Sequence, residues 1–200
     1  MKHLLMKNIM MNKKIIGIDY SLNSPAICIS NGGWNFNDCN FYYLTDKVKW
    51  QGEILNNVKG TPHKPYSNPI SRFNNLSNWV FKTIFESDIT FYDRNSFKVL
   101  LEGYSYGSKG QALFQIAENC GILKWNFMTR SIPYEIIPPA IVKKIATGKG
   151  NANKDLMYDQ FCKDTKTDLI GEFKMNTLGN PITDIVDAYY IAKCGVNENP

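Results

Sequence analysis

At 200 residues, 44% of them hydrophobic and with no repeat or low-complexity stretch, the chain suits one compact core rather than a disordered tail or a solenoid. Lys and Arg number 23 against 18 acids, so the net charge of +5 admits a polyanionic partner without requiring one. The five cysteines are scattered with no CxxC pair, which excludes a disulfide framework or zinc ribbon and fits reduced thiols in the cytoplasm.

Met1–Met10 is mildly apolar and basic. Lys7 interrupts it, and Lys13-Lys14 stands where a signal peptide would carry small residues, so residues 1–12 read as an extension. A single domain is expected over 13–195, followed by a tail at 196–200. No apolar run reaches membrane-spanning length, so no membrane partner is expected.

Lys14–Ser30 reads as two strands: Ile15, Ile16 and Ile18 lead to Asp19, and Ala26–Ile29 resumes the pattern after a turn. Asn31-Gly32-Gly33 supplies hairpin-turn residues, and Trp34–Leu44 is predicted as a third antiparallel strand. Gly60, Pro62, Pro65 and Pro69 mark a long loop, and Ser71 is the predicted cap of a helix bearing Phe73, Leu76, Val80, Ile84 and Phe85. Val99-Leu100-Leu101 is a strand covered on both faces. A helix over 111–127 carries Leu113, Ile116, Ala117, Cys120, Leu123 and Phe127 on one stripe. Tyr134–Ile137 reads as another buried strand, and Pro138-Pro139 opens a helix to about Ala146. Asn153 or Asp155 opens the next helix, through Phe161. Asp164–Asn180 reads mostly as connector, and Pro181 starts a last helix over Ile182–Cys194. A three-strand meander followed by βαβ crossovers predicts an α/β fold, a mixed sheet flanked by helices.

Four acids sit where acids are costly. Asp19 follows Ile-Ile-Gly-Ile in the middle of the predicted first strand, and Glu102 ends Val-Leu-Leu. Asp184 and Asp187 share one face of the last helix with Ala188 and Ile191, a face that should pack on the sheet. Each acid alone has an ordinary explanation as a turn, strand end or surface stripe. Together they suggest an all-oxygen site for Mg²⁺, with Mn²⁺ as a substitute, and two such ions about 4 Å apart catalyse phosphodiester hydrolysis.

The residues Gly17-Ile18-Asp19-Tyr20-Ser21, Leu101-Glu102-Gly103-Tyr104 and Asp184-Ile185-Val186-Asp187-Ala188 resemble, in that order, the motifs of the RuvC Holliday-junction resolvases of the RNase H-like superfamily. Gly107–Gly121 is similar to the small-residue helix after that family's Glu. Val142-Lys143-Lys144 through Thr147–Lys154 is similar to its basic helix, glycine turn and Lys. The resemblance runs from about Lys14 to Cys194. It implies an RNase H-like sheet, Asp19, Glu102, Asp184 and Asp187 as ligands of a two-ion Mg²⁺ site, and a homodimer making paired nicks in four-way DNA junctions. Residues 59–95 depart from the family pattern, as does the N-terminal extension, which together with an Asn- and Lys-rich composition fits a bacteriophage- or plasmid-type member.

Positive charge gathers beside these motifs. No acid occurs from Ile136 to Lys154, while Lys143, Lys144, Lys149 and Lys154 do, with Gly148 and Gly150 allowing backbone amides to approach phosphates. Tyr104, Tyr106 and Lys109 follow Glu102, where aromatics can stack on unpaired bases. Ser21 and Asn23 are expected to shape the turn after Asp19. The Gly-Lys-Gly lacks P-loop spacing, so no nucleotide cofactor is expected, and the two histidines, His3 and His63, carry no hydrolase or zinc motif. A debranching, flap or RNase H-type nuclease and a non-catalytic branched-DNA binder remain open alternatives.

Overall fold

The computed structural model describes residues 13–87, 96–104 and 111–196; the expected extension and the end of the tail lie outside them. Seven strands form one mixed sheet: β1 (Lys14–Asp19), β2 (Ala26–Ser30), β3 (Cys39–Leu44), β4 (Gly52–Leu55), β5 (Val58–Thr61), β6 (Phe97–Glu102) and β7 (Tyr134–Ile137), in the order β4-β5-β3-β2-β1-β6-β7. The helices are α1 (Pro69–Phe85), α2 (Gln111–Thr129), α3 (Pro139–Thr147), α4 (Lys154–Thr165), the short α5 (Leu169–Glu172) and α6 (Ile182–Lys193). The β1–β2–β3 meander is antiparallel, whereas β6 and β7 join β1 as parallel strands.

Alternation along the strands divides the core in two. Ile16, Ile18, Ile27, Ile29, Val99 and Leu101 pack with α1 and α2 on one face. Cys28, Phe41, Tyr43 and Leu100 pack with α3, α4 and α6 on the other. Both faces of β1 and β6 are thus covered, which is why their sequences read as nearly continuous apolar runs.

Several local expectations are corrected. Asp19 is the last residue of β1, not its middle. Phe36–Asp38 forms a 3-10 turn ahead of β3, so the third strand is shorter than Trp34–Leu44. The predicted loop around Gly60 contains β5, which forms a hairpin with β4 and pairs in parallel with β3. Asn68, not Ser71, is the cap of α1; Ser71 sits three residues inside and completes the capping box, with Pro69 at the first turn. Phe85 is 51% exposed, Leu113 36%, and Ala117 is exposed as well, so none of the three belongs to a buried stripe. Strand β7 is an edge strand with Ile136 48% exposed, not a buried one. Asn153 caps α4, which runs four residues past Phe161, and α5 interrupts the predicted 164–180 connector.

Helix α6 lies unusually close to β1. A Cβ at Gly17 would stand 2.3 Å from both Ala188 O and Ala192 N, so glycine opposite two alanines permits the approach. Gly195 lies against Ile15 and Leu100, which sets α6 antiparallel to β1 with its N-terminal turn over the strand's carboxyl end. Gly17→Ala is expected to destabilise the protein by about 1–3 kcal/mol or more through overpacking, measured by urea denaturation. A loss within about 0.5 kcal/mol, the range of an ordinary surface change, would contradict this packing.

Candidate metal centre

The four acids come together at the carboxyl ends of two neighbouring parallel strands. Ile18 of β1 is in register with Leu101 of β6, so the next step along both strands sets Asp19 beside Glu102. Asp19 shares a face with Gly17, and Glu102 with Leu100, which is the face that α6 covers. Asp184 and Asp187 lie on the first turns of α6, just N-terminal to Ala188, and therefore over the end of β1. A carboxylate in the first turn is also favoured by the positive end of the helix dipole, which helps Asp184.

Electrostatics report the same convergence. Burial, reinforced by Asp187, Asp184 and Glu102, pushes the Asp19 carboxyl well above its ordinary range, with Lys154 opposing. Burial and then Asp187 raise Glu102 to about 7, against Lys143 and Lys154. Burial raises Asp184 to about 6, partly offset by a hydrogen bond from Ser24 and by Lys154. Burial raises Asp187 to about 6, against Lys154 and Lys143. Each acid is therefore within the field of at least one other, in surroundings that disfavour its charge.

The donor set suits a hard cation. All its atoms are carboxylate oxygens, and Asp184 Oδ2 is buried with no hydrogen-bond partner. Leaving such an acceptor unsatisfied costs about 1–3 kcal/mol, more when it is charged. The carboxylates are near but not closed on one point: among the described residues no three His, Cys, Asp or Glu side chains form a group that could hold an ion as they stand.

Of the predicted basic residues, Lys143 on α3 and Lys154 at the start of α4 act on the acids. Lys144 and Lys149 are exposed and enter the field of none of them among the described causes. Tyr104 is 42% exposed, and the Lys124 ammonium lies 4.6 Å from its ring centroid and donates to its hydroxyl at 3.3 Å. Tyr106 and Lys109 lie outside the described residues. Ser21 does shape the turn, its Oγ accepting from the Ser24 amide at 3.1 Å. Sequence reasoning missed Ser24 and Asn180. Asn180 Nδ2 donates to Ser24 Oγ at 2.6 Å, and its Oδ1 accepts from Thr183 Oγ1 at 2.5 Å, which fixes the loop against Asp184. Their only sequence signal is proximity to Asp19 and Asp184.

The raised values fix a sign. An acid whose folded pKa lies above its unfolded value stabilises the fold below the unfolded pKa, near 4, and that contribution is lost as pH climbs through about 6 to 7. A bound cation must displace those protons and then relieves the repulsion. The melting-temperature gain on adding Mg²⁺ is therefore expected to be larger at about pH 8 than at about pH 5, and smaller in Asp184→Asn. Equal gains at both pH values would remove these acids from metal binding.

No protein-family model and no curated protein matches the chain in sequence. Solved structures do match it in fold. The Thermus thermophilus RuvC structure aligns over 90% of both chains at 16% identity and TM-score 0.51. T. thermophilus RuvC in complex with Holliday junction substrate aligns over 90% of both at 15% identity and TM-score 0.54. The yeast mitochondrial Holliday junction resolvase Ydc2 aligns more loosely, at 15% identity and TM-score 0.48, and adds nothing to the fold assignment. With its seven-stranded mixed sheet, flanking helices and α6 packed over β1, the chain has a RuvC-like fold.

Proposed function

We propose that this protein is a Mg²⁺-dependent endodeoxyribonuclease that resolves four-way DNA junctions by paired phosphodiester hydrolysis. One observation carries the reading: Asp19, Glu102, Asp184 and Asp187 meet at the ends of β1 and β6, each raised in pKa by burial and all but Asp187 also by a neighbouring acid, with Lys143 and Lys154 alongside. A purely DNA-binding surface has no use for negative charge gathered where phosphates must come. The similarity in fold to a RuvC solved with Holliday junction substrate supports branched DNA as the partner.

Bound divalent ions supply Lewis acidity at the scissile phosphate and a water of lowered pKa. The chain's own groups do the rest. The four carboxylates hold the ions, with Asp184 kept in place by Ser24 and by the Asn180 contact behind it. Lys143 and Lys154 draw the phosphate backbone toward the acids. Asp19→Asn is expected to abolish cleavage of a labelled four-way junction in Mg²⁺ while leaving junction binding intact. Wild-type turnover by that variant would take Asp19 out of the site. Preferential cutting of flaps, forks or hybrids by the wild type would favour a debranching or RNase H-type enzyme, and binding without cleavage a non-catalytic protein.

Paired nicks require two sites. Helix α2 bears an outward stripe at 3-4-4-3 spacing, Phe114, Ala117, Gly121, Trp125 and Met128, with Phe114 68%, Trp125 62% and Met128 59% exposed. An apolar helical seam of this kind suits an isologous contact with a second copy. Trp125→Lys is expected to convert the dimer to a monomer in size-exclusion chromatography with light scattering. An unchanged dimer mass would exclude α2 as the seam.

A further inference from the structure

A basic groove leads away from the acids on the side of the molecule that the β4–β5 hairpin and the following segment build. It begins between Asn23, Ser24, Lys47, Trp50, Asn180 and Pro181, against the loop that holds Asp184. A second cleft adjoins this one at Asn23 and Asp46, and it continues along His63, Lys64, Tyr66 and Arg72. Those same four residues open a third cleft, which ends at Asn75, Asn78 and Lys82 on α1. Shared walls make the three one continuous path.

Its charge is largely uncompensated. Among the described residues Lys47, Lys64 and Arg72 form no ion pair, and Lys82 meets only Glu86, at 3.7 Å and well exposed, a weak contact. Asp46 is the one acid in the walls. Arg72 is held rigidly by neutral acceptors: its Nη2 donates to Leu22 O at 2.8 Å and to Asn23 Oδ1 at 2.7 Å. Its Nε–H is buried without a partner. The guanidinium lies 5.3 Å from the Tyr66 ring centroid, and Tyr66 is 53% exposed. One face of Tyr66 is thus backed by a cation and the side chain still reaches solvent, the arrangement of a base-stacking platform.

We propose that this groove is a track for a DNA strand leaving the metal centre, with phosphates on Lys47 and Lys64 and an unpaired base against Tyr66. The inference rests on the nuclease reading, since it names where that enzyme's substrate runs. His63 and Arg72 serve as positioning residues. His63 Nε2 lies 2.9 Å from Asn23 O, so both hold the loop between Asp19 and Ser24 from the groove side.

The test measures junction affinity across a salt series in Mg²⁺, with Asp19→Asn as the parent so that the DNA stays intact. Adding Lys47→Ala and Lys64→Ala, both exposed, is expected to weaken binding and flatten the slope of log affinity against log salt by roughly 1.5 to 2. Adding Tyr66→Ala to the parent is expected to weaken binding about five- to hundredfold with little change in slope. Variants matching a parent that binds the junction would overturn the groove and leave the nuclease reading standing. A parent that fails to bind any branched DNA would overturn both.

Discussion

Helix α6 rests on β1 with so little space that one methyl group at Gly17 would overlap the backbone of Ala188 and Ala192. That contact has two effects. It brings the first turns of α6, with two carboxylates, over the end of a strand that finishes in a third. It also strips water from them, so each acid that the helix covers holds its proton to an unusually high pH. The fold therefore stores repulsion at one point, and only a cation or a proton relieves it. Such a cluster is a poor device for stability and a suitable one for gripping metal.

Around this point the molecule is arranged by charge. Acids occupy the strand ends under α6. Lys143 and Lys154 come from α3 and α4, on the same face of the sheet as α6. Beyond Ser24 the surface turns basic again through Lys47, Lys64 and Arg72. A polyanion lying across the acids would meet lysines on both sides.

Much of this is legible in the sequence. Asp19 and Glu102 stood out because aliphatic runs lead straight into them, and such runs become strands covered on both faces. Asp184 and Asp187 stood out because their helix face also carries Ala188 and Ile191. The β4–β5 hairpin was not readable. Gly52–Thr61 is short and weakly alternating, it borders the prolines at 62, 65 and 69, and β5 gains its place only by pairing with β3. Ser24 and Asn180 were hidden for another reason: their bond spans 156 residues of sequence, and neither position is unusual locally. Arg72 reaches Asn23 across 49 residues, a contact no periodicity announces.

The same hairpin decides how the sheet ends. Strand β4 is four residues long, its pairing slips between Glu53 and Leu55, and Gly52 and Glu53 face water. A short, irregular, charged border offers a poor template for a strand from another molecule. Growth of the sheet by lateral addition is thereby discouraged on that flank.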